Sequence, residues 1–133
     1  MIQAHKALDM AAHACADGGT IVFVAECGDG LGRTDFMKWF ESEDSRALEY
    51  RLRDGYEVNG QTAWALLTKT ERFRVRIITD LSAEQIRAMR MTKVRSPDEA
   101  LSGIRAEATG YIMPRGAALW PSLVEEISRA YRA

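Results

Sequence analysis

Thr20-Ile21-Val22-Phe23-Val24-Ala25 (TIVFVA) is an almost continuous apolar run, rich in β-branched residues. Only a strand covered on both faces tolerates Ile21, Val22, Phe23 and Val24 in succession, so the run predicts a buried strand of a parallel sheet. On its amino side, Ile2 to Ala16 sets Ala4, Ala7, Leu8, Ala11, Ala14 and Cys15 on one helical face, and Gly18-Gly19 supplies the stop. On its carboxyl side, Glu26 to Gly32 (ECGDGLG) reads as a glycine-rich loop. Thr34 or Asp35 is then expected to cap a helix that carries Phe36, Trp39 and Phe40 into a core.

The alternation of helix and strand signals continues outward from there. A charged helix is expected around Asp44 to Arg53 and an amphipathic one around Asn59 to Lys69. Phe73 to Thr79 alternates Phe, Val and Ile with Arg74 and Arg76, which predicts a strand with one less buried face. Ser82 opens a helix with Glu84, Ile86 and Met89, and Met91 to Val94 is a short extended piece. Ser96-Pro97-Asp98-Glu99 combines an N-cap serine, proline at the first helical position and acids in the first turn. Gly110 to Met113 predicts a last short strand, closed by Pro114 and Gly116, and the tail from Pro121 to Tyr131 reads as helical. The sum is an α/β fold: one domain over residues 1–133, with a mostly parallel sheet of three to five strands and helices on both faces.

Composition narrows the function classes. Hydrophobic residues make up 47% of the chain and charged ones 28%, the balance of a globular protein rather than a disordered one. No apolar run has the length of a membrane span, and the start, Met-Ile-Gln-Ala-His-Lys, does not read as a secretory signal, so the cytoplasm is the expected location. The net charge of −1 gives no field to hold a polyanion. The local basicity of Arg72, Arg74, Arg76, Arg87, Arg90, Lys93 and Arg95 reads as a solvated face rather than a nucleic-acid footprint. Cys15 and Cys27 lack CxxC spacing and have only His5 and His13 for company, so neither a disulfide framework nor a zinc site is indicated.

Two features could carry chemistry. The loop Gly28-Asp29-Gly30-Leu31-Gly32 follows a strand, but Arg33 stands where a dinucleotide fingerprint needs glycine, and no Gly-Lys-Ser/Thr follows to make a P-loop. It therefore reads as a tight strand-to-helix turn at the end of the strand where open α/β sheets bind ligands. On the first helix, Gln3, Lys6, Met10 and His13 recur opposite the alanine face, leaving one stripe free to meet solvent, a partner or a ligand.

These segments together resemble one family. Ile2-Gln3-Ala4-His5-Lys6-Ala7, then Gly18-Gly19-Thr20-Ile21, then Ala25-Glu26-Cys27-Gly28-Asp29-Gly30-Leu31-Gly32 resemble the start of the C-terminal domain in nickel-dependent lactate racemase-family proteins. Ile77-Ile78-Thr79-Asp80-Leu81, Met91-Thr92, Asp98-Glu99-Ala100-Leu101 and Met113-Pro114-Arg115-Gly116 continue the resemblance over nearly the whole chain.

The resemblance implies racemisation or epimerisation of a small 2-hydroxy acid by transient hydride transfer to a nickel-pincer nucleotide, in a cleft between two domains. It implies that Gln3 and Lys6 are this domain's catalytic contribution and that Trp64 walls the cofactor. A lysine ammonium attracts a carboxylate or developing alkoxide, and a glutamine amide orients it by hydrogen bonding. The family's paired histidines, nickel-ligand histidine, cofactor-tethering lysine and substrate arginine belong to the N-terminal domain. That domain, in the same protein or as a separate subunit, is thus the expected partner, and this chain alone is expected to be inactive, with no metal ligands of its own. Ile2 stands where lactate racemases often have an aromatic residue, so the substrate pocket is expected to differ. A stand-alone α/β binding module using the Gln3-Lys6-Met10-His13 stripe is the runner-up, and a nucleotide-binding domain using the Gly28–Gly32 loop is a third reading.

Overall fold

The structure is a computed structural model that describes residues 1–118 and Pro121. Helix α1 (His5–Ala14) turns Leu8 and Ala12 into the core, with Ala4, Ala7, Ala11 and Cys15 packed along the margin. Strand β1 (Thr20–Val24) follows, and the chain next makes a 3-10 turn over Met37–Glu41. Helices α2 (Ser45–Asp54) and α3 (Val58–Arg72) form the crossover to β2 (Arg74–Ile78). Helix α4 (Ala83–Ala88) leads to a two-residue β3 (Thr92–Lys93), and α5 (Pro97–Leu101) follows. A second 3-10 turn spans Gly116–Ala118.

The sheet is parallel throughout, in the order β1-β2-β3. Thr20 pairs with Arg74 and Val24 with Ile78, while Arg76 pairs with Thr92. Alternation along the strands sorts the side chains between two faces. Ile21, Phe23, Val75 and Ile77 join Leu8 of α1 and Ala63, Leu66 and Leu67 of α3 in one core, together with Phe36 and Trp39. On the opposite face the Arg76 guanidinium donates to the carbonyls of Ala100 and Ser102, at 2.6 Å each, and clamps α5 to the sheet. Helices thus lie on both faces of a parallel three-stranded sheet, as the α/β reading requires.

The start signals are realised for the later helices. Asp44 accepts from the Ala47 amide at the start of α2, Ser82 and Gln85 form a reciprocal capping box, and Ser96 accepts from the Glu99 amide. Three local expectations are corrected. The segment around Phe36 to Phe40 is a 3-10 turn rather than a capped α-helix, because the Asp35 carboxylate binds the Arg33 guanidinium (3.0 Å) instead of a helix amide. β1 is fully covered on one face only: α5, five residues long, does not reach its carboxyl end, and Val24 stays 67% exposed. Among the described residues Gly110 to Met113 forms no strand, and Tyr111 and Ile112 stay exposed. The tail expected to be helical lies, apart from Pro121, outside the described residues.

Candidate functional site

A parallel sheet gathers the carboxyl ends of its strands on one rim, where open α/β sheets bind ligands. The short connections from α1 into β1 and from α3 into β2 make both helices run against the strands, so their amino ends lie at the same rim. The rim is tightly knit. The Thr79 hydroxyl and the Asp80 amide both donate to the Glu26 carbonyl (3.0 and 2.9 Å), joining the ends of β1 and β2. The Met1 nitrogen donates to the Gly30 carbonyl (3.0 Å) and the Ile2 amide to the Leu31 carbonyl (3.2 Å), stitching the entry to α1 onto the glycine-rich loop.

Local backbone chemistry explains the glycines there. Gly30 and Gly32 have φ of 75° and 98°, a region that side-chain-bearing residues occupy only under strain. A β-carbon on Gly32 would also stand 3.4 Å from the Ile2 Cδ1 atom. The loop is thus a tight turn that spends two of its carbonyls on anchoring α1. A shallow cleft of about 450 Å³ opens beside it, lined among others by Asp29, Arg33, Thr34 and Gln85.

Gln3 and Lys6 are both exposed on this anchored entry, one helical turn apart, with the Lys6 amide donating to the Gln3 carbonyl (3.4 Å). Among the described residues neither side chain has a hydrogen bond or an ion pair. On the same stripe His13 is also exposed and Met10 half-buried. His5 lies off that stripe and is half-buried. Its Nδ1–H donates to the Ile2 carbonyl, which leaves Nε2 as the lone-pair nitrogen of the neutral ring. No periodicity in the sequence singles it out, because the hydrogen bond depends on the turn that precedes α1.

Trp64 is not part of this rim. It is half-buried and lines a groove of about 280 Å³ between α2 and α3, with Leu52, Arg53 and Tyr56. Lys69, five positions on and so roughly 140° around the helix, is the residue that faces α1, through an ion pair with Asp9 at 2.5 Å. Neither Gln3 nor Lys6 lines either cleft. The structure therefore brings Gln3 and Lys6 together and sets Trp64 on the other flank of α3.

Nucleophilic and metal chemistry find little purchase on these residues. Burial pushes the Cys15 thiol up, against the opposing pull of Arg72 and Arg74, so it rests protonated. Among the described residues no group of three or more His, Cys, Asp or Glu side chains could hold a metal ion, and no helix is long and apolar enough to cross a membrane.

Comparison with known proteins agrees with this fold. The family model for the lactate racemase C-terminal domain matches residues 1–113. The lactate racemase of Thermoanaerobacterium thermosaccharolyticum is 34% identical, over 74% of this chain and 25% of that protein. The solved structure of the lactate racemase apoprotein from the same organism superposes with a TM-score of 0.64 at 33% identity, covering 72% of this chain and 24% of that one. The chain thus spans about a quarter of the length of the relatives it matches. Because that family model matches residues 1–113, this chain belongs to the lactate racemase C-terminal domain family.

Proposed function

We propose that residues 1–133 form one domain that closes the active-site cleft of a 2-hydroxy acid racemase or epimerase, against an N-terminal domain that binds the cofactor. The observation that carries this reading is the pair Gln3 and Lys6: exposed, side by side and, among the described residues, unpartnered on the rim where an α/β sheet receives ligands. A side chain kept for packing would bury its stem or find a partner, as Lys69 does with Asp9. Lys6 supplies a positive charge for a carboxylate or for an oxygen that gains charge during reaction, and Gln3 supplies an amide donor to orient it.

The cofactor that the family resemblance implies is a nickel-pincer nucleotide. The described residues do not fit its metal, since they offer no cluster of ligands, and nickel ligation falls to the N-terminal domain. The resemblance alone points Trp64 to the cofactor; its half-buried ring lines the α2–α3 groove, away from Gln3 and Lys6.

The test is reconstitution. Purified N-terminal domain loaded with cofactor is mixed with this chain, and the interconversion of D- and L-2-hydroxy acids is followed by chiral chromatography. Racemisation that depends on both components supports the assignment. A mixture no more active than the N-terminal domain alone would leave the chain as a binding module without catalysis.

A further inference from the structure

The basic residues of the fold divide by partnership. Lys69, Arg90 and Arg95 bind carboxylates, and Arg76 binds two carbonyls. Among the described residues, Lys6, Arg87, Arg105 and Arg115 engage no carboxylate, carbonyl, hydroxyl or ring. One unpaired cation on a surface needs no explanation. Two that the topology brings to one place from opposite ends of the described chain do, because like charges gain nothing from each other's company.

Lys6 and Arg115 are such a pair. Helix α5 packs on β1 and β2 over the outer face, whereas the Gly116–Ala118 turn packs on α1, over the inner face. The chain between them therefore passes from one face of the sheet to the other. It lands closely: a β-carbon on Gly116 would stand 3.0 Å from the Ala7 β-carbon and 3.5 Å from its Cα. The Ala118 amide donates to the Arg115 carbonyl (2.8 Å) and closes the turn with Arg115 at its head. Ala7 directly follows Lys6 and lies one helical turn from Gln3. With ~3.8 Å between consecutive Cα atoms, the Cα atoms of Lys6 and Arg115 lie within roughly 12 Å of each other. Two long side chains span that distance around a small ligand.

The surroundings point the same way. From β1 the chain departs to α2 and α3 on the inner face, and after β3 it returns through α5 on the outer face. The carboxyl end of β1, with its glycine-rich loop, is the part of the rim that the α1 entry is stitched onto. The other two unpaired arginines stand elsewhere: Arg87 on α4, which packs on β3 and the first 3-10 turn, and Arg105 just beyond α5.

We infer that Arg115 is a third member of the Gln3-Lys6 set and that the three side chains together bind the carboxylate of a small organic acid. The guanidinium offers a planar fork that matches a carboxylate, the ammonium a point charge and the glutamine amide a further donor. This rests on the proposed placing of Gln3 and Lys6 toward the substrate, and adds a specificity-determining residue to it.

The test is a titration of the full, isotope-labelled chain with sodium lactate and, separately, with inorganic phosphate, at constant ionic strength, read by amide chemical shifts. Saturable shifts at Gln3, Lys6 and Gly116 with lactate are expected. Arg115→Gln and Lys6→Gln should each weaken the binding at least fivefold, Arg115→Lys should weaken it less, and Arg105→Gln should leave it unchanged. Shifts that fail to saturate, or an Arg115→Gln chain that binds as before, would overturn the assignment, and phosphate binding tighter than lactate would overturn the carboxylate. The same variants in the reconstituted system separate the two claims. Lactate binding that needs Arg115 without any racemisation removes the enzymatic reading and keeps the anion site, whereas racemisation that needs Lys6 but not Arg115 does the reverse.

Discussion

The indole of Trp39 packs closely on Gly60: a β-carbon on Gly60 would stand 3.0 Å from the ring atoms Cε3 and Cζ3 and 2.6 Å from the Leu52 Cδ2 atom. Trp39 is buried, and the Lys38 ammonium and Arg51 guanidinium sit 4.8 and 4.4 Å from its ring. Helix α3 can approach the first 3-10 turn only because position 60 lacks a side chain.

Gly60→Ala should accordingly destabilise the chain, although alanine is the better helix former by ~1 kcal/mol. Overpacking against a buried ring costs ~1–3 kcal/mol, so the expected net loss is up to about 2 kcal/mol. Urea unfolding followed by tryptophan fluorescence measures it. An alanine variant more stable than the parent would show that the ring yields freely.

Glu71 holds the start of α2. Its carboxylate accepts from the Ser45 amide (2.8 Å), the Ser45 hydroxyl (2.5 Å) and the Arg90 guanidinium (3.1 Å), while Arg90 also donates to the carbonyls of Ser42 and Glu43. Glu71→Ala should cost about 1–3 kcal/mol, since it strips a helix start and takes from Arg90 its carboxylate partner. Hydrogen exchange should quicken at Ser45 to Leu48 more than in α3. Uniform exchange across both helices would count against this local role.

The ion pair of Asp9 and Lys69 joins α1 to α3 with side chains 33% and 24% exposed. At that exposure a double-mutant cycle of Asp9→Asn and Lys69→Met should give a coupling of only ~0.5–1 kcal/mol. A coupling of zero would mean that the core contacts of Leu8 and Leu66 set the helix register unaided.

Acid should loosen α5 first at its amino end. The Arg95 amide and guanidinium both donate to the Glu99 carboxylate (2.9 and 3.0 Å) and hold it below the usual carboxylate range. A carboxyl with a lowered folded pKa contributes stability above its unfolded pKa and loses it as pH falls through the folded value. The difference in urea midpoint between the parent and Glu99→Gln should therefore be visible at neutral pH and vanish in strong acid. A difference that persists at low pH would assign the effect to shape rather than charge.

Lys6→Ala should leave stability within ~0.5 kcal/mol, because an exposed and unpaired side chain contributes little to packing. In the reconstituted two-domain system it should lower turnover by ~10²-fold, the scale of losing one electrostatic stabiliser. Melting of the domain by this substitution, or full turnover without the lysine, would return the α1 stripe to a structural surface.

Where residue chemistry acts locally, the sequence was a sound guide. The β-branched run gave β1, the alternation around Arg74 and Arg76 gave β2, and serine, proline and acid signals placed α4 and α5. The misses lie where a partner decides. Gly110 to Met113 has the composition of a strand, but a strand exists only against an edge that pairs with it. Val24 reads as buried because a run of apolar residues does not reveal how long the covering helix is. In the candidate site, helical spacing set Gln3 and Lys6 on one stripe and the family resemblance singled them out, whereas the flank taken by Trp64 depends on where α2 packs, and Arg115 depends on a turn that returns to Ala7.

The register of the sheet carries a kinetic consequence. Thr20 finds its partner in Arg74 only after the whole α2–α3 connection has been threaded between them, and all the ladder contacts are parallel and distant along the chain. Closing so long a loop before any pairing is rewarded is slow, so this domain should fold late relative to its helices, through a search rather than by local zipping. Until the search succeeds, Ile21 to Val24 stand as an open apolar ribbon, and it is then, rather than in the finished fold, that the chain is most prone to associate with its own kind.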